Sequence, residues 1–358
     1  VCLILVGFFY TRRLYQMNIV TVGDFFQVRY NKKLETTVSI IVVFTYPHWI
    51  AAQFVALAYL FNSVLGIPVE YGIILGALVV VLYTYVGGMW AVSYTDMLQS
   101  ALIIVGLIFL LFNTIDQTDG IAPLFADKPA SFFSPFPPDG LPHWSEYMAT
   151  VLAVTIGAIP AQEIYQRVFS AKSQKAAING AYLAAGLLLV LSAVPMLIGL
   201  GAVQLYPDLM TSDNGRSIIP AMVSRNTSIP LQVLFYGALI SAILSTSSGA
   251  MLAPATIIGE NLIQPHFKNF NDKKLLLWTR LSVIVVAAVS CYFAFSELDI
   301  VQLVIASLAL LLVCVFAPFT FGLFWEKASV FGAWSAIVVG GTVWFLCYLG
   351  ETEIDATI

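Results

Sequence analysis

Apolar segments long enough to cross a bilayer recur along this whole chain, and that repetition constrains the fold more than any single residue does. A transmembrane helix needs about 20 mostly apolar residues. Nine stretches read as such spans: 37–66, 69–88, 97–115, 144–161, 176–205, 229–262, 275–296, 300–324 and 328–349. Val1–Tyr10 reads as the tail of a tenth, cut span, because Arg12 and Arg13 follow its apolar run, whereas the charges of a signal peptide precede one. Upstream helices are therefore expected to be missing. Backbone polar groups in hydrocarbon must be satisfied within their own segment, so the expected fold is all-α, a single polytopic transmembrane domain over 1–358 embedded in the lipid bilayer. The composition agrees: 10% of residues are charged, against roughly 25% in soluble domains.

The loops carry an orientation signal. If Thr11–Glu35 is cytoplasmic and the spans alternate from there, the cytoplasmic side holds Arg12, Arg13, Arg29, Lys32, Lys33, Arg167, Lys172, Lys175, Lys268, Lys273, Lys274, Arg280 and Lys327. The outside keeps Lys128, Arg216 and Arg225. This bias follows the positive-inside rule. It predicts a multi-pass protein of the plasma or inner membrane with its C-terminus, Glu351, Glu353 and Asp355 included, outside. The longest outer loop, Asp116–His143, reads equally well as a lid or a linker. Asn226-Thr-Ser228 fits a glycosylation acceptor on the same side.

Enzyme signatures are missing: the sequence has no metal-ligand pair, phosphate loop or nucleophile elbow. His48, His143 and His266 are scattered, and Gly199-Leu-Gly201 is an isolated fragment. Cys2, Cys291, Cys314 and Cys347 all sit in apolar segments without disulfide or metal spacing, which points to packing. No cofactor and no nucleic acid partner is expected. No span has an Asp, Glu, Lys or Arg near its middle, whereas many proton-driven carriers keep one there.

Four stretches stand out. Gly237, Ser241, Ser245, Gly249 and Ala253 recur every four residues and share one helix face, beside Ala242, Thr246 and Ala250. Such a face serves either close helix packing or a cation held by hydroxyl and carbonyl oxygens. Gly157-Ala-Ile-Pro160 closes its span as either an ordinary helix end or a break that holds a ligand. Tyr46-Pro-His-Trp49, with Gln53 one turn on, brings a kink and an aromatic face to mid-span; His48 is expected to bond a freed carbonyl, and Trp49 to line a substrate. Gly87–Gln99 joins two spans, with Thr95 and Asp96 expected to cap the second.

Taken together, these residues resemble the sodium/solute symporter family. The matching motifs are Thr21-Val-Gly-Asp-Phe…Arg29-Tyr30, Gly87-Gly…Ala91-Val…Thr95-Asp96…Gln99, Gln166-Arg167 and Ser245-Thr-Ser-Ser248, in family order across nearly the whole chain. The resemblance implies a five-plus-five inverted-repeat fold of the LeuT type, lacking its first core helix, and import of a small organic solute driven by sodium as coupling ion. It assigns the carbonyl of Ala242 and the hydroxyls of Ser245 and Thr246 to a sodium site, Thr95 and Asp96 to ion coupling near the inner exit, and Trp49, Gln53, Gly157, Pro160 and Ala161 to the substrate. Ile159–Val168 is closest to the high-affinity choline carriers, although Ala161 stands where they have Trp and Ser248 where several members have Asp. The alternative is a membrane-embedded sensor input domain of a symporter-like signalling protein.

Overall fold

A computed structural model describes residues 1–126, 128–137, 141–207, 218–267, 271–297 and 299–349, except for the side chains of 86–95, 141–143, 221, 226 and 347–349. All its regular elements among the described residues are helices. In chain order they are α1 (Cys2–Leu5), α2 (Thr11–Gln16), α3 (Val22–Arg29), α4 (Lys32–Leu65), α5 (Val69–Gln117), α6 (Pro123–Ala126), α7 (Leu141–Leu152) and α8 (Gln162–Phe169). There follow α9 (Gln174–Leu191), α10 (Ala193–Leu205), α11 (Ile218–Asn226), α12 (Ile229–Ile257), α13 (Asp272–Ser296), α14 (Ile300–Leu310), α15 (Ala317–Phe324) and α16 (Val330–Leu349). Four π segments extend or join them: Val6–Tyr10, Ala153–Gly157, Ile258–Ile263 and Leu311–Phe316.

Among the described residues, seven helices are long and apolar enough to cross a membrane: Lys32–Leu65, Asp96–Gln117, Trp144–Phe169, Gln174–Leu205, Ile229–His266, Asp272–Ser296 and Ile300–Phe324. Val69–Tyr85 and Val330–Leu346 are shorter apolar helices. Each of the nine predicted spans falls on one of these. Two boundaries differ from expectation. The helix continues from Val69 to Gln117 rather than ending and restarting near Asp96, because Gly87-Gly88 weakens a helix by about 1 kcal/mol per glycine without removing a hydrogen-bond donor. The predicted 176–205 span is interrupted at Ser192. Pro195 has no N–H for the carbonyl of Leu191, so the ladder cannot continue there.

The chain divides into two compact units, the first Val1–Ala52, Pro137–Ala185 and Ala250–Ile358, the second Gln53–Phe136 and Gly186–Gly249. The first unit is centred on Phe319, whose ring meets Tyr10, Phe25, Phe26 and Tyr165 at centroid distances of 4.9–6.2 Å. Arg29 closes the end of α15: its Nε donates to Gly322 O at 2.8 Å and its Nη2 to the carbonyls of Trp325, Glu326 and Ala328. A cation there satisfies the last carbonyls of a helix and suits its dipole. The second unit buries Leu110, Val194, Ile198, Ala202, Met222, Val223 and Phe235 together. Apolar side chains also face outward, Leu189 at 72% exposure and Phe331 at 81% among them, as a helical protein in lipid requires. The thiols of Cys2, Cys291 and Cys314 are free.

Candidate functional site

The candidate ion residues lie on α12 in the second unit. Ser245 donates its hydroxyl to Asp96 Oδ1 at 2.5 Å, across to α5. Ten residues further along α5, a Cβ on Gly106 would lie 3.0 Å from Ala238 Cβ, so α5 and α12 cross antiparallel and at close range. That approach brings an aliphatic carboxylate and a hydroxyl together, two hard oxygens of the kind a small cation takes. Ser248 donates to Ser245 O at 3.0 Å and Ser247 to Ile243 O at 2.5 Å, so these two hydroxyls are tied to their own helix. Thr246 is exposed and Ala242 half-buried. The helix is unbroken through Ala242, so a ligand there would use the second lone pair of a carbonyl still in the helical ladder. A methyl on Gly237 would meet nothing within 4 Å, which removes close packing as the reason for that glycine. Asp96 lies inside a helix and not at its start. Thr95 lies outside the residues whose side chains are described, as do Asn226 of the glycosylation motif and most of Gly87–Gln99. Asp127 and Asp139 of the long outer loop, Arg216, Lys268 and 350–358 lie outside the described residues altogether.

The candidate solute residues lie mostly in the first unit. The span that begins at Trp144 breaks after Gly157: three turn residues follow, Ala161 is extended at ψ 125°, and α8 restarts at Gln162. Gly157 packs closely, since a Cβ would lie 3.0 Å from the backbone oxygen of Leu308. Tyr46, one turn before Trp49, donates its hydroxyl to Glu163 Oε2, and the Glu163 amide donates back to Tyr46 Oη at 3.3 Å. The tyrosine thus caps the restarted helix and holds α4 beside the break. Trp49 and Gln53 are half-buried; Gly157, Pro160 and Ala161 are buried. His48 differs from expectation: its ring packs on Phe293 at 3.9 Å between centroids. Imidazole is planar and partly apolar, so a ring face suits it as well as a carbonyl does.

A third set of residues is buried and polar, and spacing alone did not reveal it. Thr21 opens α3 with a capping box: its hydroxyl accepts from Asp24 N at 3.0 Å, and Asp24 Oδ2 accepts from Thr21 N at 3.0 Å. The same hydroxyl donates to Asn261 Oδ1 at 2.7 Å. Asn261 Nδ2 donates to Asp24 Oδ1 at 2.7 Å and to Glu35 Oε1 at 2.8 Å. On the other side of the turn, Val22 N donates to Gln162 Oε1 at 2.6 Å and Gln162 Nε2 to Val20 O at 3.2 Å. The one signal in the sequence was Thr21-Val-Gly-Asp24, a capping pattern whose distant partners no local rule supplies.

Comparison with known proteins bears on the family and the fold. Residues 1–340 match the sodium:solute symporter family. The chain is 27% identical over 351 residues to the human high affinity choline transporter 1, covering 94% of this chain and 60% of that one. It is 25% identical to the sodium/pantothenate symporter of Haemophilus influenzae, covering 94% and 70%, and 26% identical to the sodium/glucose cotransporter of Vibrio parahaemolyticus, covering 94% and 68%. The chain thus spans less than two thirds of the choline transporter's length. A Na+-coupled sialic acid symporter, solved in a substrate-bound outward-open state, superposes with a TM-score of 0.77 at 20% identity, covering 99% of this chain and 76% of that one, which establishes a shared fold. The repeated apolar helices, the broken span and the motif order have one common explanation: this chain belongs to the sodium:solute symporter family.

Proposed function

We propose that this multi-pass membrane protein imports a small organic solute by alternating access, driven by sodium. The observation that carries the reading is the contact between Ser245 and Asp96 across two closely crossing helices. Sodium held by Ser245 Oγ, Thr246 Oγ1 and the Ala242 carbonyl would favour the state open to the outside, and Asp96 would receive the ion on its way to the inner exit. Thr95, next to Asp96, shares that exit role by family resemblance. A ligand shifts a conformational equilibrium only by its differential affinity for the two states, so the site must change shape between them. Solute would bind at Trp49 and Gln53 and at the break Gly157–Ala161. With Ala161 buried where choline carriers have Trp, a quaternary ammonium would lose one aromatic wall, so the solute is proposed only as a small organic molecule. Thr11–Glu35 is proposed to face the cytoplasm.

The test is uptake into proteoliposomes under an inward sodium gradient, with choline, pantothenate, proline and glucose as labelled solutes. At least one should accumulate with sodium and not with potassium. Ser245→Ala or Thr246→Ala should abolish that sodium-driven component. Unchanged uptake in both variants would reject the site.

A further inference from the structure

Asn261 lies in the π segment that continues α12 beyond its candidate ion residues, and 2% of it is exposed. Its amide makes three hydrogen bonds: it accepts from Thr21 at the N-cap of α3 and donates to Asp24 on α3 and Glu35 on α4. Its NH2 group therefore stands between two carboxylates, one of which, Glu35, is 1% exposed and ion-paired to Lys32 at 2.6 Å. Gly23 is the residue the packing forces here: a Cβ would lie 2.5 Å from Ser39 Oγ and 3.0 Å from Asn261 Cγ. The backbone of the same turn is held on its other side by Gln162, fully buried and the first residue after the broken span. A second bond repeats the link, from Gln166 Nε2 to Thr256 Oγ1 at 3.4 Å.

The turn Val20–Asp24 is thus bonded at once to the end of the ion helix and to the restart of the solute helix. Such a cluster does not loosen gradually. Removing one buried partner leaves the others unsatisfied, so its bonds are expected to hold or break together. We propose that Asn261 is a positioning residue for transport: with Gln162 it forms a latch on the Thr21–Asp24 turn that keeps the ends of α12 and α8 together, closing the basic-residue side of the protein until sodium and solute are bound. This rests on the sodium-driven reading above and adds to it the residue through which the two helices are coupled. Asn261 touches neither ion nor solute; it acts through the geometry of the helix that carries Ser245 and Thr246.

Losing the latch favours the state open on that side. External sodium then has to work against a less populated binding state, and its apparent affinity falls by the lost fraction. The experiment is the sodium dependence of uptake in proteoliposomes for wild type, Asn261→Ala, Asn261→Asp, Gln162→Ala and the double variant Asp24→Asn/Asn261→Asp, with thermal stability measured in parallel. Half-saturating sodium should rise about 5-fold or more in Asn261→Ala and Asn261→Asp, within the usual range of coupling between sites. Gln162→Ala should shift it in the same direction, and supplies the test if Asn261→Ala does not fold. The double variant again sets an amide against a carboxylate and should recover part of the Asn261→Asp loss. Half-saturating sodium within 2-fold of wild type in the Asn261 and Gln162 variants, whatever their stability, would overturn the proposal. A wild type indifferent to sodium would instead sink the sodium-driven reading, and the latch with it.

Discussion

A Cβ on Gly201 would lie 2.2 Å from Thr114 Cγ2, while the hydroxyl of that threonine donates to Leu110 O at 2.9 Å. Gly201→Ala should therefore lower stability by about 1–3 kcal/mol through overpacking. Adding Thr114→Ser removes the clashing methyl, keeps the hydroxyl, and should restore most of the loss in a thermal unfolding scan; no recovery would contradict the contact. Gly199 next to it meets nothing within 4 Å, so Gly199-Leu-Gly201 holds one packing glycine and one ordinary one. The sequence showed both glycines and no means of telling them apart, because the difference lies in Thr114 on α5, far away along the chain. Ser245 and Asp96 have the same history: the motifs singled out each, and only the crossing of α5 and α12 made them neighbours.

Elements were more legible than contacts. Nine apolar runs became apolar helices because hydrocarbon leaves the backbone no other way to satisfy itself. The break at Gly157–Pro160 was an open choice in the sequence, since Gly and Pro end helices as readily as they interrupt them. What decides it is α8, an eight-residue helix beyond the turn, capped by Tyr46 from α4. Gly157→Ala would press a methyl against the backbone of Leu308, which cannot rotate away as a side chain can. Uptake should fall in this variant while its membrane level stays near wild type; full activity would show that the close approach to α14 is not used. Gly340→Ala is harsher, with a Cβ 2.1 Å from Val313 O, and should reduce the amount of folded protein recovered. The polar cluster around Asn261 was the least legible element, since its members come from four places between Thr21 and Asn261 and form no pattern at any fixed spacing.

At the scale of the molecule, the sequence already implied a polytopic helical protein and its family, because composition, span repetition and motif order are each distributed over the whole chain. It left the coupling ion and the solute as inferences, because a sodium site of hydroxyls and carbonyls uses residue types that also serve plain packing. Sodium binding by Ser245 and its neighbours, as proposed above, can be measured without a known solute. The most direct test is the thermal stability of the purified protein in sodium against potassium at matched ionic strength. A ligand bound only by the folded state adds RT ln(1 + [L]/Kd), about 2.7 kcal/mol at a hundred times Kd. Stability should rise specifically in sodium, and Ser245→Ala should remove that rise. Equal stability in the two salts, or a sodium effect that survives Ser245→Ala, would contradict sodium binding at Ser245.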